Sequence, residues 1–308
     1  LVVILGTFLL LEAAPGDAVD AYAVSTGGDA GMMENLRREW GLDRSAATRL
    51  ATYLWAVVGL DLGHSTAFSR PVLHVILERL PNTLLLMGSA TALSFGLGSI
   101  FGIVAGSRPG SLTDRVLTTG SVVLYAVPGF WLGLVLVIVF AIQLRWLPAS
   151  GLETIASGKI GIDRALDMAR HLVLPVAALG VIYLALYLRM MRAGMIEVQR
   201  LEFVLAARAK GLSTASVAVR HVARNALLPL LTMLGLQSAS MLGGSVVIES
   251  IFAIPGFGRL AQEAVAARDT PLLLGIMLVS AVVVIAINLI VDATYAFLDP
   301  RIGAGEAV

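Results

Sequence analysis

Cysteine is absent from all 308 residues. Neither a disulfide framework nor a thiolate metal site is therefore available, and the redox compartment stays open. Charge is scarce as well: 14 % of residues are Asp, Glu, Lys or Arg, where an ordinary soluble protein has about 25 %. With 57 % hydrophobic residues, the chain carries more apolar surface than a soluble core of this length absorbs. It reads as an all-α polytopic membrane protein. A net charge of +1 by itself says nothing about nucleic acid, and no nucleic-acid partner is expected. Catalytic signatures are missing too. There is no Walker A string for ATP phosphates, no Gly-x-Ser-x-Gly elbow, and His64, His74, His171 and His221 form no i, i+4 pair for a metal. No enzyme activity, cofactor or metal is expected on this chain. An intramembrane enzyme would need a catalytic pair in the spans, and none is found. A secondary transporter would be expected to show buried carboxylates or broken, repeated helices. Asp292 is the one plausible charge in a span, and an interfacial structural role is expected for it.

What is present is a series of long apolar runs. The chain opens on Leu1, and Leu1–Leu11 is too short to span, since crossing takes about 20 residues. A signal peptide would need a basic leading region and a small-residue cleavage site, and both are missing. The expectation is the tail end of a first span, with Glu12 near its outer end. Five full-length segments follow, at about Leu80–Ala105, Val116–Ile142, His171–Met191, Ala226–Ile248 and Pro271–Leu298. That makes six transmembrane helices, the first truncated at its N-terminus. Residues 189–224 hold seven basic and two acidic side chains. A short basic loop of this kind belongs on the cytoplasmic side. Both termini are then cytoplasmic, and 13–79 is extracytoplasmic. In that outer segment Asp43 is expected to cap a helix running to Gly59, with Leu50, Leu54, Val57 and Val58 along one face. Residues 1–308 read as a single domain.

The 189–224 loop has more pattern than an anchor needs. Gln199–Lys210 is helical in period, with Leu201, Val204, Leu205 and Leu212 near one face and Glu202, Ala206, Ala209 and Lys210 elsewhere. Arg208 and Lys210 sit in the last turn, where the helix dipole favours cations. Gly211 stands where a left-handed residue ends the helix. Ser213 can cap a second helix, with Leu212 and Val217 as a hydrophobic staple. That helix carries Arg220, His221 and Arg224 and meets the membrane at Asn225. Pro229 bends or marks the start of the next span.

The string Ala206–Gly211, followed by Arg220-His221 and Arg224-Asn225-Ala226-Leu227-Leu228-Pro229, resembles the cytoplasmic EAA loop of ABC importer permeases, in particular the dipeptide, oligopeptide and nickel branch. Other strings in order are similar to that branch: Ala14-Pro15-Gly16-Asp17, Gly41-Leu42-Asp43, Asp61-Leu62-Gly63-His64-Ser65, Pro128-Gly129-Phe130-Trp131, Trp146–Gly151, Glu249–Phe252 leading to Pro255–Gly258, and Asp299-Pro300-Arg301. Two features depart from the general pattern. Leu205 stands where a glutamate is usual, and Leu228-Pro229 lies eighteen residues after Gly211, a spacing that agrees with the peptide and nickel branch.

The resemblance implies a type I ABC importer permease fold in a bacterial inner membrane. It implies a second homologous permease subunit, two cytoplasmic ATP-binding subunits that use ATP and Mg, and an extracytoplasmic substrate-binding protein. The loop's first helix would seat in an ATPase groove, so Glu202, Leu205, Ala206, Ala207, Arg208, Lys210, Gly211, Leu212, Arg220, His221, Asn225 and Pro229 are the coupling residues. On family grounds the cargo is di- and oligopeptides, with nickel or a metal chelate as the alternative. Met87, Thr91, Ser94 and Gly98 align along one span, and Met233, Gln237, Ser240 and Gly244 along another. With Pro128 they are candidates for the substrate pathway; close helix packing is the competing explanation for such small-residue stripes.

Overall fold

The computed structural model describes residues 43–298 apart from Leu60, with a few isolated positions before 43. Most of the segment expected to be a first span, together with Glu12, the Ala14–Asp17 string and Asp299-Pro300-Arg301, lies outside the described residues. Among the described residues the regular structure is helical but for one short hairpin: α1 (Ala46–Val58), β1 (His64–Ser65), β2 (Arg70–Pro71), α2 (Val72–Ser107), α3 (Leu112–Ala126), α4 (Gly129–Leu136), α5 (Gly161–Val198), α6 (Glu202–Ala209), α7 (Thr214–Ser216), α8 (Arg224–Ile251), α9 (Phe257–Ala266) and α10 (Thr270–Leu298). Two π-helical turns extend this set: Val137–Gln143 continues α4, and Val217–Ala223 joins α7 to α8.

Four described helices are long and apolar enough to cross a membrane: α2, α5, the Thr214–Ile251 run and α10. The pair α3 and α4 passes the same test jointly, but is bent by 97°. The expected Val116–Ile142 segment is thus not one straight helix. Pro128 disfavours helical backbone at the residue before it, and Val127 is extended there (φ −80°, ψ 124°). The other helices outrun their apolar stretches. α5 starts at Gly161, ahead of His171, and the helix expected to end at Asn225 runs on through Pro229 into α8. Large apolar side chains such as Val123, Ile138, Ile142, Leu289 and Ile290 are exposed, as lipid-facing walls require.

Contacts group the chain into two compact units. The first joins residues up to Asn82 with Pro255–Val283. Here α1 is capped by Ser45, whose Oγ accepts from Thr48 N–H at 3.3 Å; the expected cap, Asp43, lies two residues too early. Asp61 accepts from Gly63 N–H at 3.0 Å, and Gly63 is left-handed (φ +76°), which turns the chain into the hairpin. The buried Asp269 then receives Ser65 Oγ at 2.5 Å, Ala67 N–H at 3.0 Å and Leu272 N–H at 3.1 Å. One carboxylate thereby ties the hairpin to the start of α10.

The second unit holds Thr83–Ile254 and the chain from Val284 onward. Gly98, Gly102 and Gly106 line one face of α2, and a Cβ on each would stand 2.7, 2.4 and 2.5 Å from the Cβ of Tyr187, Met191 and Met195 of α5. This i, i+4 run of glycines lets two backbones approach closely. Glu249, just past the expected fifth apolar segment, is in the last turn of α8 and fully buried. It accepts from Thr83 Oγ1 at 2.6 Å, and its carbonyl accepts from Ile254 N–H at 2.9 Å. The connection after α4 is pinned where Gly151, left-handed at φ +84°, donates to Phe252 O at 2.7 Å. Beside it, a pair of hydrogen bonds from Arg164 holds the exposed Glu153 carboxyl below its ordinary pKa.

Candidate coupling surface and transport cavity

α5 ends at Val198, the chain turns through Gln199–Leu201, and α6 begins at Glu202 after an extended Leu201 (ψ 148°). α6 has only eight residues, with Glu202 in its first turn and Arg208 in its last, each matched to the dipole end it occupies. Lys210 N–H donates to Ala206 O at 3.1 Å and Gly211 N–H to Arg208 O at 2.9 Å. Gly211 then turns left-handed at φ +77°. A Cβ there would meet nothing within 4 Å, so conformation and not space demands glycine. Ser213 Oγ accepts from Ser216 N–H at 3.3 Å, which starts α7 as expected.

The apolar residues of this loop divide into two sets. Val204 (0 % exposed) and Ala207 (6 %) face inward, into a cluster with Met191, Met195, Val217, Val222 and Leu230. Leu201 (47 %), Phe203 (42 %), Leu205 (58 %) and Leu212 (42 %) face outward. The single face expected from the sequence is thus split, and Leu212 is too exposed to staple the buried Val217. Ala206, Arg208, Lys210 and Gly211 share the outer surface with Leu205. Arg220 is exposed and His221 half-buried on the second π turn, while Asn225 and Pro229 are exposed further on. Asn225 Nδ2 donates to His221 O at 2.7 Å, which fastens that turn. Phe203 was not among the expected coupling residues: in the helical period it falls with Ala206 and Lys210, away from the apolar stripe of Leu201, Val204 and Leu205.

The other feature is a cavity of about 370 Å³ lined by α2, α5, α8 and α10 within the second unit. Met87, Thr91 and Gln237 meet there, together with Phe95, Tyr187 and Met241. The Phe95 and Tyr187 rings are edge-to-face, 5.5 Å between centroids. Thr91 Oγ1 donates to Met241 Sδ at 3.1 Å, and the Gln237 amide has no hydrogen-bond partner among the described residues. Among the described residues no charged side chain lines this space. Four expected pathway residues lie elsewhere. Ser94 is buried and donates to Thr91 O at 3.2 Å. Met233 packs against the apolar cluster under α6. Ser240 is exposed away from the cavity, and Pro128 sits at the α3–α4 bend. Gly98 belongs to the glycine packing seam, and Gly244 to a smaller cavity of about 250 Å³ beside Tyr183. Asp292 is exposed.

Residues 98–304 match the family described as "Binding-protein-dependent transport system inner membrane component". The chain belongs to that family. Among relatives of this permease, a putative peptide transport system permease protein of Brucella abortus is 38 % identical over 302 residues, covering 98 % of this chain and 94 % of the relative. The di/tripeptide transport system permease protein DppB of Pseudomonas aeruginosa is 36 % identical, and the oligopeptide transport system permease protein AppB of Bacillus subtilis 37 %; each match covers 96 % of this chain and 92 % of the relative. A chain of the MetNI methionine ABC transporter, in inward-facing conformations, superposes with a TM-score of 0.58 at 14 % identity, over 74 % of this permease and 97 % of that chain. The fold is that of ABC importer transmembrane subunits, and this permease is a membrane-spanning transport component.

Proposed function

We propose that this permease forms half of the pathway for di- and oligopeptides and is driven from the cytoplasm by ATP-binding subunits that seat α6. The observation carrying this reading is the outward set of Phe203 and Leu205 on α6, flanked by Leu201 and Leu212, while the inward set of the same helix, Val204 and Ala207, is fixed in the core. A short helix held at both ends presents an apolar face without flexing. Differential contacts on such a face let a partner's nucleotide cycle shift a two-state equilibrium.

The basic character of 189–224 supports a cytoplasmic position for this face and for both termini. The chain has no Walker A string, so ATP and Mg belong to the two partner subunits. A homologous permease completes the pathway, and an extracytoplasmic binding protein delivers the cargo. The peptide names of relatives that align nearly end to end support the cargo. A neutral, largely apolar cavity with one amide unpartnered among the described residues suits a peptide's backbone and side chains better than a bare cation.

The deciding experiment is reconstitution with the second permease, both ATPases and a peptide-binding protein in proteoliposomes. Peptide-stimulated ATP hydrolysis and uptake are expected. Leu205→Asp should abolish co-purification of the ATPase subunits while leaving membrane insertion intact. Retention of those subunits by that variant would remove the docking role.

A further inference from the structure

We propose that Asp114 and Arg192 form a clasp that makes α3 move as one body with the coupling loop. The inference rests on the docking role proposed above for α6. Asp114 lies in the first turn of α3, and its side chain is only 3 % exposed. Arg192, near the end of α5, reaches it with two parallel donors: Nε to Oδ1 at 2.5 Å and an Nη to Oδ2 at 2.8 Å. Planar, bidentate pairing of this kind fixes orientation as well as distance. The same carboxylate accepts from Gly110 N–H at 2.8 Å and Thr118 Oγ1 at 3.2 Å. Ser111 caps the helix by accepting from Asp114 N–H at 3.2 Å. The α2–α3 turn and the start of α3 therefore converge on one guanidinium of α5.

Further contacts make that guanidinium part of the loop's base. Met191 and Met195, either side of Arg192, are fully buried in the cluster that receives Val204 and Ala207 of α6. Gln199 Nε2, in the turn between α5 and α6, donates to Gly106 O at 2.7 Å. Arg189, one turn before Arg192, lies over the Tyr125 ring of α3 at 4.8 Å. The α2–α5 seam leaves no slack either, because Gly102 and Gly106 bring the two backbones together beside the clasp. A displacement of α6 is thus delivered through α5 and Arg192 to Asp114 and α3, whose far end is the 97° bend before α4. Asp114 and Arg192 are positioning residues: neither lies on the outer face of α6 nor lines the cavity.

The natural absence of cysteine permits a direct test with spin labels. In the assembled transporter, labels at Val123→Cys on α3 and Ala215→Cys on the loop are expected to keep one distance distribution with and without ATP. In the same background Asp114→Asn should make that distance depend on nucleotide. A nucleotide-dependent distance in the parent, or an unchanged one in Asp114→Asn, overturns the clasp. Transport gives a second readout. Asp114→Asn and Arg192→Gln should each lower peptide-stimulated ATP hydrolysis roughly tenfold, and the double variant no further, as for two groups acting as a unit. Multiplying losses, or full stimulation in either single variant, contradicts it. The ATPase subunits should co-purify with all three. Leu205→Asp, run alongside, reports on docking alone, so failure of the docking reading is separable from failure of the clasp.

Discussion

A β-carbon on Gly102 would stand 2.4 Å from the Cβ of Met191 and 2.8 Å from the carbonyl oxygen of Leu188. Neither neighbour is the loose end of a flexible chain, so any side chain at 102 pushes α2 away from α5. Gly102→Ala should cost about 1–3 kcal/mol, the usual range for overpacking, and Gly102→Leu should prevent assembly. Gly96, on the same helix, has open space around it. Gly96→Ala should be neutral or stabilising, by up to ~1 kcal/mol from helix propensity. Thermal unfolding of the purified permease in detergent distinguishes the two sites.

Gly211 presents the opposite case. No described atom lies within 4 Å of where its Cβ would be, yet φ is +77°. Gly211→Ala should destabilise the α6–α7 turn by about 1–2 kcal/mol, while Gly211→Asn, which tolerates the left-handed region better, should lose less. Gly211→Val adds β-branching to a positive φ and should abolish peptide-stimulated ATP hydrolysis with membrane insertion preserved. Hydrolysis by the reconstituted complex, compared across the three variants, checks the order.

Asp269 should be the most sensitive polar position of the first unit. Asp269→Ala strands Ser65 Oγ and the Ala67 and Leu272 N–H groups at once. Leaving a buried donor unsatisfied costs about 1–3 kcal/mol, so this variant should unfold at a clearly lower temperature than Ser65→Ala, which removes one donor to the carboxylate and strands the Phe68 N–H alone. Equal melting temperatures for the two would show that the carboxylate does not organise the hairpin.

In the cavity, Gln237→Leu keeps volume and removes the one free amide. Losing a single neutral hydrogen bond of ~1 kcal/mol should raise the apparent KM for peptide roughly fivefold. Met87→Trp fills the space and should lower the maximal uptake rate instead. Uptake kinetics in proteoliposomes separate these effects, and co-purification of the ATPase subunits should be unchanged in both.

The positions of the long helices were legible because twenty-residue apolar runs have few other uses in a chain with this little charge. Gly211 and Ser213 were legible for a local reason: their backbone roles depend on their own chemistry and immediate neighbours. The division of the α6 apolar residues was not. Val204 and Leu205 are adjacent apolar residues in one helical pattern, and only the packed cluster of Met191, Met195 and Val222 decides which of them turns inward. The same holds for the charges. In the sequence Asp114 and Arg192 are one acidic and one basic residue 78 positions apart, and their pairing exists only once α3 lies along α5. Ser94 and Gly98 looked equivalent to Thr91 because all share one stripe of α2; the close approach of α5 takes up Gly98, and Ser94 is buried with its hydroxyl on the carbonyl of Thr91, while Thr91 itself reaches the cavity. Pro128 announced a disturbance, but a bend of 97° depends on where α4 packs, which no local signal specifies.

The central claim is that the exposed face of α6 points into the cytoplasm and is covered there by an ATPase subunit. Because the chain has no native cysteine, Leu205→Cys provides a single reporter on that face. A membrane-impermeant maleimide should label it in inside-out vesicles, not in intact spheroplasts, and binding of the ATPase subunits should block the labelling. Labelling from outside intact spheroplasts, or equal labelling with and without the ATPases, would contradict the account.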